Sequence, residues 1–152
     1  MFKKYNFLRS LNKMVETSDV AAAKVQNNSS DEKWLRGYDW YKSIGSPKYL
    51  VAPMVDQSEL PFRMLTRRYG AKLCYTPMFH ARLFATDPKY RDKMFKPCAE
   101  DRPLTVQFAA NDPEYLLQAA LLVQEHCDAI DINCGCPQAI AKRGNYGAYL
   151  LE

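Results

Sequence analysis

The chain has 152 residues, 47% of them apolar and 25% charged, a composition that excludes chain-wide disorder and fits one soluble domain with a core. Its net charge of +4, from 21 basic and 17 acidic residues, permits a polyanionic partner without establishing one. No apolar run approaches the roughly 18 residues of a membrane span and no secretory signal is evident, so a cytoplasmic or nuclear protein is expected.

Residues 1–33 read as an extension. Lys3, Lys4, Arg9 and Lys13 lie among Phe2, Phe7, Leu8 and Leu11 before any acid appears, a faint likeness to a mitochondrial presequence. The adjoining "ETSDVAAAKVQNNSSDEK" is polar and free of aromatics, as in a linker. Residues 34–46 form an aromatic lead-in, with enough apolar area to pack a short helix against the rest of the domain.

From Pro47 the pattern becomes regular. "YLVAPM" predicts a short buried strand. A helix should come next, with Ser58 as N-cap, Pro61 in the first turn, an apolar face of Phe62, Leu65 and Tyr69, and Gly70 at its end. "KLCYTPM" predicts a second strand, "FATDPKYRDKMFKPCAEDR" a charged aromatic loop, and "LTVQFAA" a third strand. Asp112 and Pro113 open another helix, with Leu116, Ala120 and Val123 on one face, and "AIDIN" is the fourth strand. This alternation predicts an α/β fold with a parallel sheet and functional residues at the carboxyl ends of its strands.

Gln107 is a lone amide in an apolar strand, and leaving it unpaired would cost about 1 to 3 kcal/mol. Its partner is either a neighbouring group or the imide-like edge of a ligand such as a flavin, and Asn133 poses the same choice. Cys136 lies between Gly135 and Pro137 beyond a strand end, where glycine permits a sharp turn; it is either a cleft thiol or a small buried hydrophobe. The five cysteines, at 74, 98, 127, 134 and 136, lack zinc-site or disulfide-scaffold spacing, so free thiols are expected. Lys142 and Arg143 precede a glycine-containing turn and suit phosphate, or solvent alone. Between His80 and Arg102, basic residues alternate with Phe84, Tyr90 and Phe95, a mixture able to bind looped RNA or to be an ordinary loop.

The segments "VAPMVDQSELPFR", "CYTPM", "RPLTVQFAANDPE" and "DAIDINCGCPQAIAKRGNYGAYL" strongly resemble the tRNA-dihydrouridine synthases, most closely the eukaryotic branch acting at positions 16 and 17 of the tRNA D-loop. The resemblance covers about residues 47–152. It implies a TIM (β/α)8 barrel with FMN at its top, backbone contacts to the flavin from Pro53, Met54 and Val55, and Gln107 against the ring. It further implies Asn133 at the uridine or flavin and Cys136 as general acid. NADPH would reduce FMN, hydride would pass to uracil C6, and the thiol would protonate C5, which requires it to stay protonated.

A full barrel takes about 250 residues, whereas residues 47–152 have room for four strands. The expectation is therefore the N-terminal half of the catalytic domain, with exposed apolar edges, that alone neither retains FMN nor reduces tRNA. A non-catalytic RNA-binding piece and a flavin barrel acting on a small molecule are the alternatives.

Overall fold

A computed structural model describes residues 38–151; the expectations for residues 1–33 lie outside the described residues. The elements in order are α1 (Tyr38–Ser43), β1 (Leu50–Val51), α2 (Leu60–Arg68), β2 (Leu73–Tyr75), β3 (Phe79–His80), α3 (Ala81–Thr86) and α4 (Pro88–Met94). They continue as β4 (Leu104–Ala109), α5 (Pro113–Val123), a 3-10 turn (Gln124–His126), β5 (Ala129–Ile132), α6 (Ala139–Gly144) and a second 3-10 turn (Gly147–Leu150). No helix among the described residues is long and apolar enough to cross a membrane.

All strand pairs are parallel. β1 pairs with β2, and β2 and β3 both lie along one edge of β4 while β5 pairs with it as well. Cys74 and Tyr75 oppose Leu104 and Thr105, and Phe79 and His80 oppose Phe108 and Ala109. One more residue separates Tyr75 from Phe79 than separates Thr105 from Phe108, so β2 and β3 are one strand broken by a bulge. Pro77 cannot donate to the ladder. Thr76 fills the gap: its hydroxyl accepts the Gln107 N–H (3.2 Å) and donates to the Pro77 carbonyl (2.9 Å). Four lanes thus run in chain order with helices between them, the arrangement of a partial (β/α)8 barrel and the α/β architecture expected.

Alternation along β4 separates two faces. Leu104, Val106 and Phe108 join Phe79, Phe84, Leu116 and Val123 in the main core. Phe84 stands edge-on to Phe108 at 5.3 Å and stacks on Phe79 at 5.4 Å. Thr105, Gln107 and Ala109 face the other way, toward the inside of the curved sheet. The outer lanes are less covered: Leu50 is 48% and Ile130 36% exposed, as expected for unpaired edges.

Four sequence readings need correction. Ser58 does not cap α2, whose N-cap is Glu59; its buried hydroxyl instead accepts the Met54 N–H (2.9 Å) and donates to the Met54 carbonyl (3.0 Å). Phe62, Leu65 and Tyr69 are exposed, Tyr69 by 85%. The helix buries Arg63 because Asp101, itself buried, takes Arg63 Nε (2.8 Å) and Arg67 Nε (2.9 Å), and a desolvated carboxylate needs both cations. The stretch assigned to a charged loop contains α3 and α4, and its aromatics are not free for RNA: Phe84 and Phe95 are buried, and the Tyr90 hydroxyl accepts the His80 N–H (3.1 Å). α1, in the lead-in, has no buried residue and is tied on by the Tyr41 hydroxyl donating to the Pro47 carbonyl (2.6 Å).

Gly70, with φ of +96°, ends α2 as predicted. Asp112 caps α5, its side chain accepting the Glu114 N–H at 2.8 Å and the Tyr115 N–H at 3.4 Å. Asp112→Ala should therefore cost about 1 kcal/mol, read as a lowered urea midpoint with unchanged slope.

Candidate active site

Parallel strands bring their carboxyl ends to one rim, and the residues singled out from the sequence sit there or just beyond. After β1 come Pro53 and Met54, both half-buried, and Val55, which is exposed. Proline has no N–H and the Met54 N–H is committed to Ser58. The Met54 carbonyl is occupied too, accepting the Gln57 N–H (3.2 Å), the Ser58 N–H (3.0 Å) and the Ser58 hydroxyl, so a backbone contact to a ligand here falls to the Pro53 carbonyl oxygen.

Gln107 and Asp131 are register partners on β4 and β5. Gln107 Nε2 donates to Asp131 Oδ2 at 2.6 Å, and Asn133 Nδ2 donates to Gln107 Oε1 at 3.2 Å. Asn133 Oδ1 accepts the backbone N–H groups of Gly135 (3.0 Å) and Cys136 (2.9 Å). The amide predicted to need a partner therefore has two, both side chains of the neighbouring lane. Each Gln107 head atom still has one hydrogen-bonding position left, a proton on Nε2 and a lone pair on Oε1.

The same network shapes the turn that carries Cys136. Gly135 has no positive φ, and a Cβ there would meet nothing within 4 Å, so the turn does not depend on glycine at that position. The glycine it needs is Gly147, with φ of +66°: a Cβ there would lie 2.5 Å from the Cys136 carbonyl oxygen. That carbonyl accepts the Ala148 N–H (3.0 Å), and the Tyr149 hydroxyl donates to the Pro137 carbonyl (2.9 Å). Asn111 Nδ2 donates to the Gly144 carbonyl at 2.9 Å, tying the end of α6 to the segment after β4. Gly147→Ala is expected to cost about 1 to 3 kcal/mol and to displace Cys136, seen as a lower melting temperature and a changed rate of thiol alkylation.

Cys136 is half-buried and packs with Met78 and Tyr149 against Ala109, Ala141 and Tyr146. Burial pushes the Cys74 thiol up and the Cys127 thiol to about 11, which keeps both unreactive. All five cysteines are free, Cys134 included. Lys142 and Arg143 occupy the last turn of α6, exposed, and neither takes part in an ion pair among the described residues.

Sequence reasoning missed Asp131 and His80. Asp131 lies two residues before Asn133 in a strand, hence on the same face, and that spacing was the available signal. His80, at the end of β3, has a buried Nδ1 without a partner, and its ring meets Tyr146 edge-on at 6.4 Å. Burial, then Arg82, holds its imidazole below the ordinary 6.5. On acidification the unfolded chain takes that proton first, so stability should fall as pH drops below about 6.5 toward the lowered folded value. Melting temperatures at about pH 7.5 and 5.5 should differ less in His80→Gln than in the parent.

A half-buried thiol, two amides and a carboxylate on one strand rim can hold a planar heterocycle and deliver a proton to it. A family model described as Dihydrouridine synthase (Dus) matches residues 50–152. The chain is 60% identical over 121 residues to the mouse (Mus musculus) tRNA-dihydrouridine(16/17) synthase NAD(P)(+)-like, covering 78% of this chain and 26% of that protein. It is 58% identical over 134 residues to the Saccharomyces cerevisiae tRNA-dihydrouridine(16/17) synthase NAD(P)(+), covering 86% and 31%. Against the Schizosaccharomyces pombe protein of the same name it is 57% identical over 122 residues, covering 79% and 31%. The chain thus spans less than a third of the length of these relatives. With its parallel lanes, its rim of amides and thiol, and these matches, the chain belongs to the dihydrouridine synthase family.

Proposed function

We propose that this chain supplies the amide and thiol part of the site of a tRNA-dihydrouridine synthase that reduces uridine at positions 16 and 17 of the D-loop, with FMN as cofactor and NADPH as reductant. The observation that carries the reading is the continuous hydrogen-bonded path from Gln107 through Asn133 to the backbone of Cys136, which fixes a ring-reading amide and a proton donor in one frame.

The residues fit FMN: the free proton on Gln107 Nε2 beside the free lone pair on Oε1 matches the donor and acceptor edge of an isoalloxazine imide, and Pro53 offers its carbonyl oxygen at the same rim. When bound, FMN supplies the hydride that reduces the C5=C6 bond of uracil. Cys136 holds the proton for C5, where hydride addition leaves enolate character. Asn133 keeps the thiol's backbone in place, and Lys142 and Arg143 take tRNA phosphate. Titration of FMN fluorescence, on a protein that carries this sequence within a complete barrel, tests the cofactor part: Gln107→Ala should weaken binding about tenfold, and equal affinity in the two proteins would overturn Gln107's role.

A further inference from the structure

We infer that Asp131 is a positioning residue that, together with Asn133, fixes which way the Gln107 amide points, so that the site presents one donor and one acceptor in a set order. The inference rests on the reading of Gln107 as the flavin contact. An amide's oxygen and nitrogen are nearly alike in shape, so only neighbours decide which end lies where. Here every link has a dictated direction. Backbone N–H groups can only donate, and those of Gly135 and Cys136 claim Asn133 Oδ1. Asn133 therefore turns Nδ2 to Gln107 and draws Oε1 toward itself. At the far end a carboxylate can only accept, so Asp131 draws Nε2. The two ends of the chain of hydrogen bonds demand the same orientation, and the reversed amide would place nitrogen against a donor and oxygen against a carboxylate.

Two further observations mark Asp131 as more than a surface acid. It is half-buried, and it takes part in no ion pair among the described residues. Its charge is also felt across the inner face: Tyr75, raised first by burial, is raised further by Asp131. Among the described residues, the 2.6 Å contact to Gln107 is the hydrogen bond that the Asp131 side chain makes, so its directing role is exercised there.

The test compares Asp131→Asn, which keeps an acceptor, with Asp131→Leu, which keeps the volume and loses the acceptor. The first readout is the side-chain NH2 pair of Gln107 in nitrogen-15 spectra of the full chain, assigned by its disappearance in Gln107→Glu. One proton of that pair should be shifted and protected from exchange in the parent and in Asp131→Asn, and should lose both properties in Asp131→Leu. The second readout is FMN affinity of a protein that carries this sequence within a complete barrel, expected to fall roughly tenfold in Asp131→Leu and less than about threefold in Asp131→Asn. A Gln107 signal unchanged in Asp131→Leu, with circular dichroism matching the parent, overturns the inference. A signal that changes while FMN affinity stays constant in Asp131→Leu and in Gln107→Ala leaves Asp131 as the orienting group and overturns the flavin reading.

Discussion

Cys136→Ala is expected to slow the reduction of uridine in tRNA by about 10² to 10⁴, the range for loss of a positioned general acid, while FMN and tRNA binding are kept. The separation has a structural cause. Asn133 holds the backbone N–H of residue 136, and Ala148 donates to its carbonyl, so alanine leaves the turn intact and removes only the proton. Cys136→Ser should recover little, because an alcohol is a far weaker acid than a thiol. Single-turnover reduction of unmodified tRNA by a protein that carries this sequence within a complete barrel, with FMN and tRNA affinities measured alongside, checks this. Loss of binding equal to loss of rate would make Cys136 a structural residue instead.

The largest effect on stability is expected at Asp101. Its carboxylate lies between two guanidinium groups, with Arg63 Nη2 at 2.7 Å and Arg67 Nη2 at 2.9 Å, and its side chain is 1% exposed. The arginines also donate to main-chain carbonyls, Arg63 to Ser58 (2.6 Å) and Arg67 to Pro103 (2.9 Å) and Lys72, so they cannot withdraw to water without breaking the links among α2, β2 and β4. Asp101→Ala strands the buried Arg63 and the half-buried Arg67 and should cost about 3 to 5 kcal/mol, a large fraction of the stability of a domain this size. Chemical denaturation checks it; a loss below about 1 kcal/mol would mean that the arginines re-solvate freely.

The sequence carried the lanes of the sheet well, because each is a short apolar run closed by a proline or a polar residue. α5 was equally legible, since Asp112 and Pro113 announce its start and Leu116 and Val123 come at helical spacing. The same Asp-Pro signal stands at Asp87 and Pro88, where Asp87 caps α4 by accepting the Lys89 N–H at 2.9 Å. It was obscured by the many charges around it. The buried side of α2 was not legible, because an apolar face was sought and the burial is ionic, dictated by Asp101 more than thirty residues away in the chain. At the site, Gln107 and Asn133 stood out as amides in apolar strands, and Cys136 by its place between glycine and proline beyond a strand end. Asp131 did not, since an acid alternating with isoleucines reads as an ordinary solvent-facing strand position. The structure also moves the essential glycine from Gly135 to Gly147, whose close approach is to Cys136 on the far side of α6 and is not written in the residues around either position.

The proposed role of Cys136 in making dihydrouridine is tested most directly by mapping that nucleoside in tRNA from cells lacking the gene for this chain, and from the same cells given back the intact gene or its Cys136→Ala form. The predicted result is loss at positions 16 and 17, recovery with the intact gene and none with the alanine form. Unchanged dihydrouridine in the deletion, or full recovery with Cys136→Ala, would contradict it.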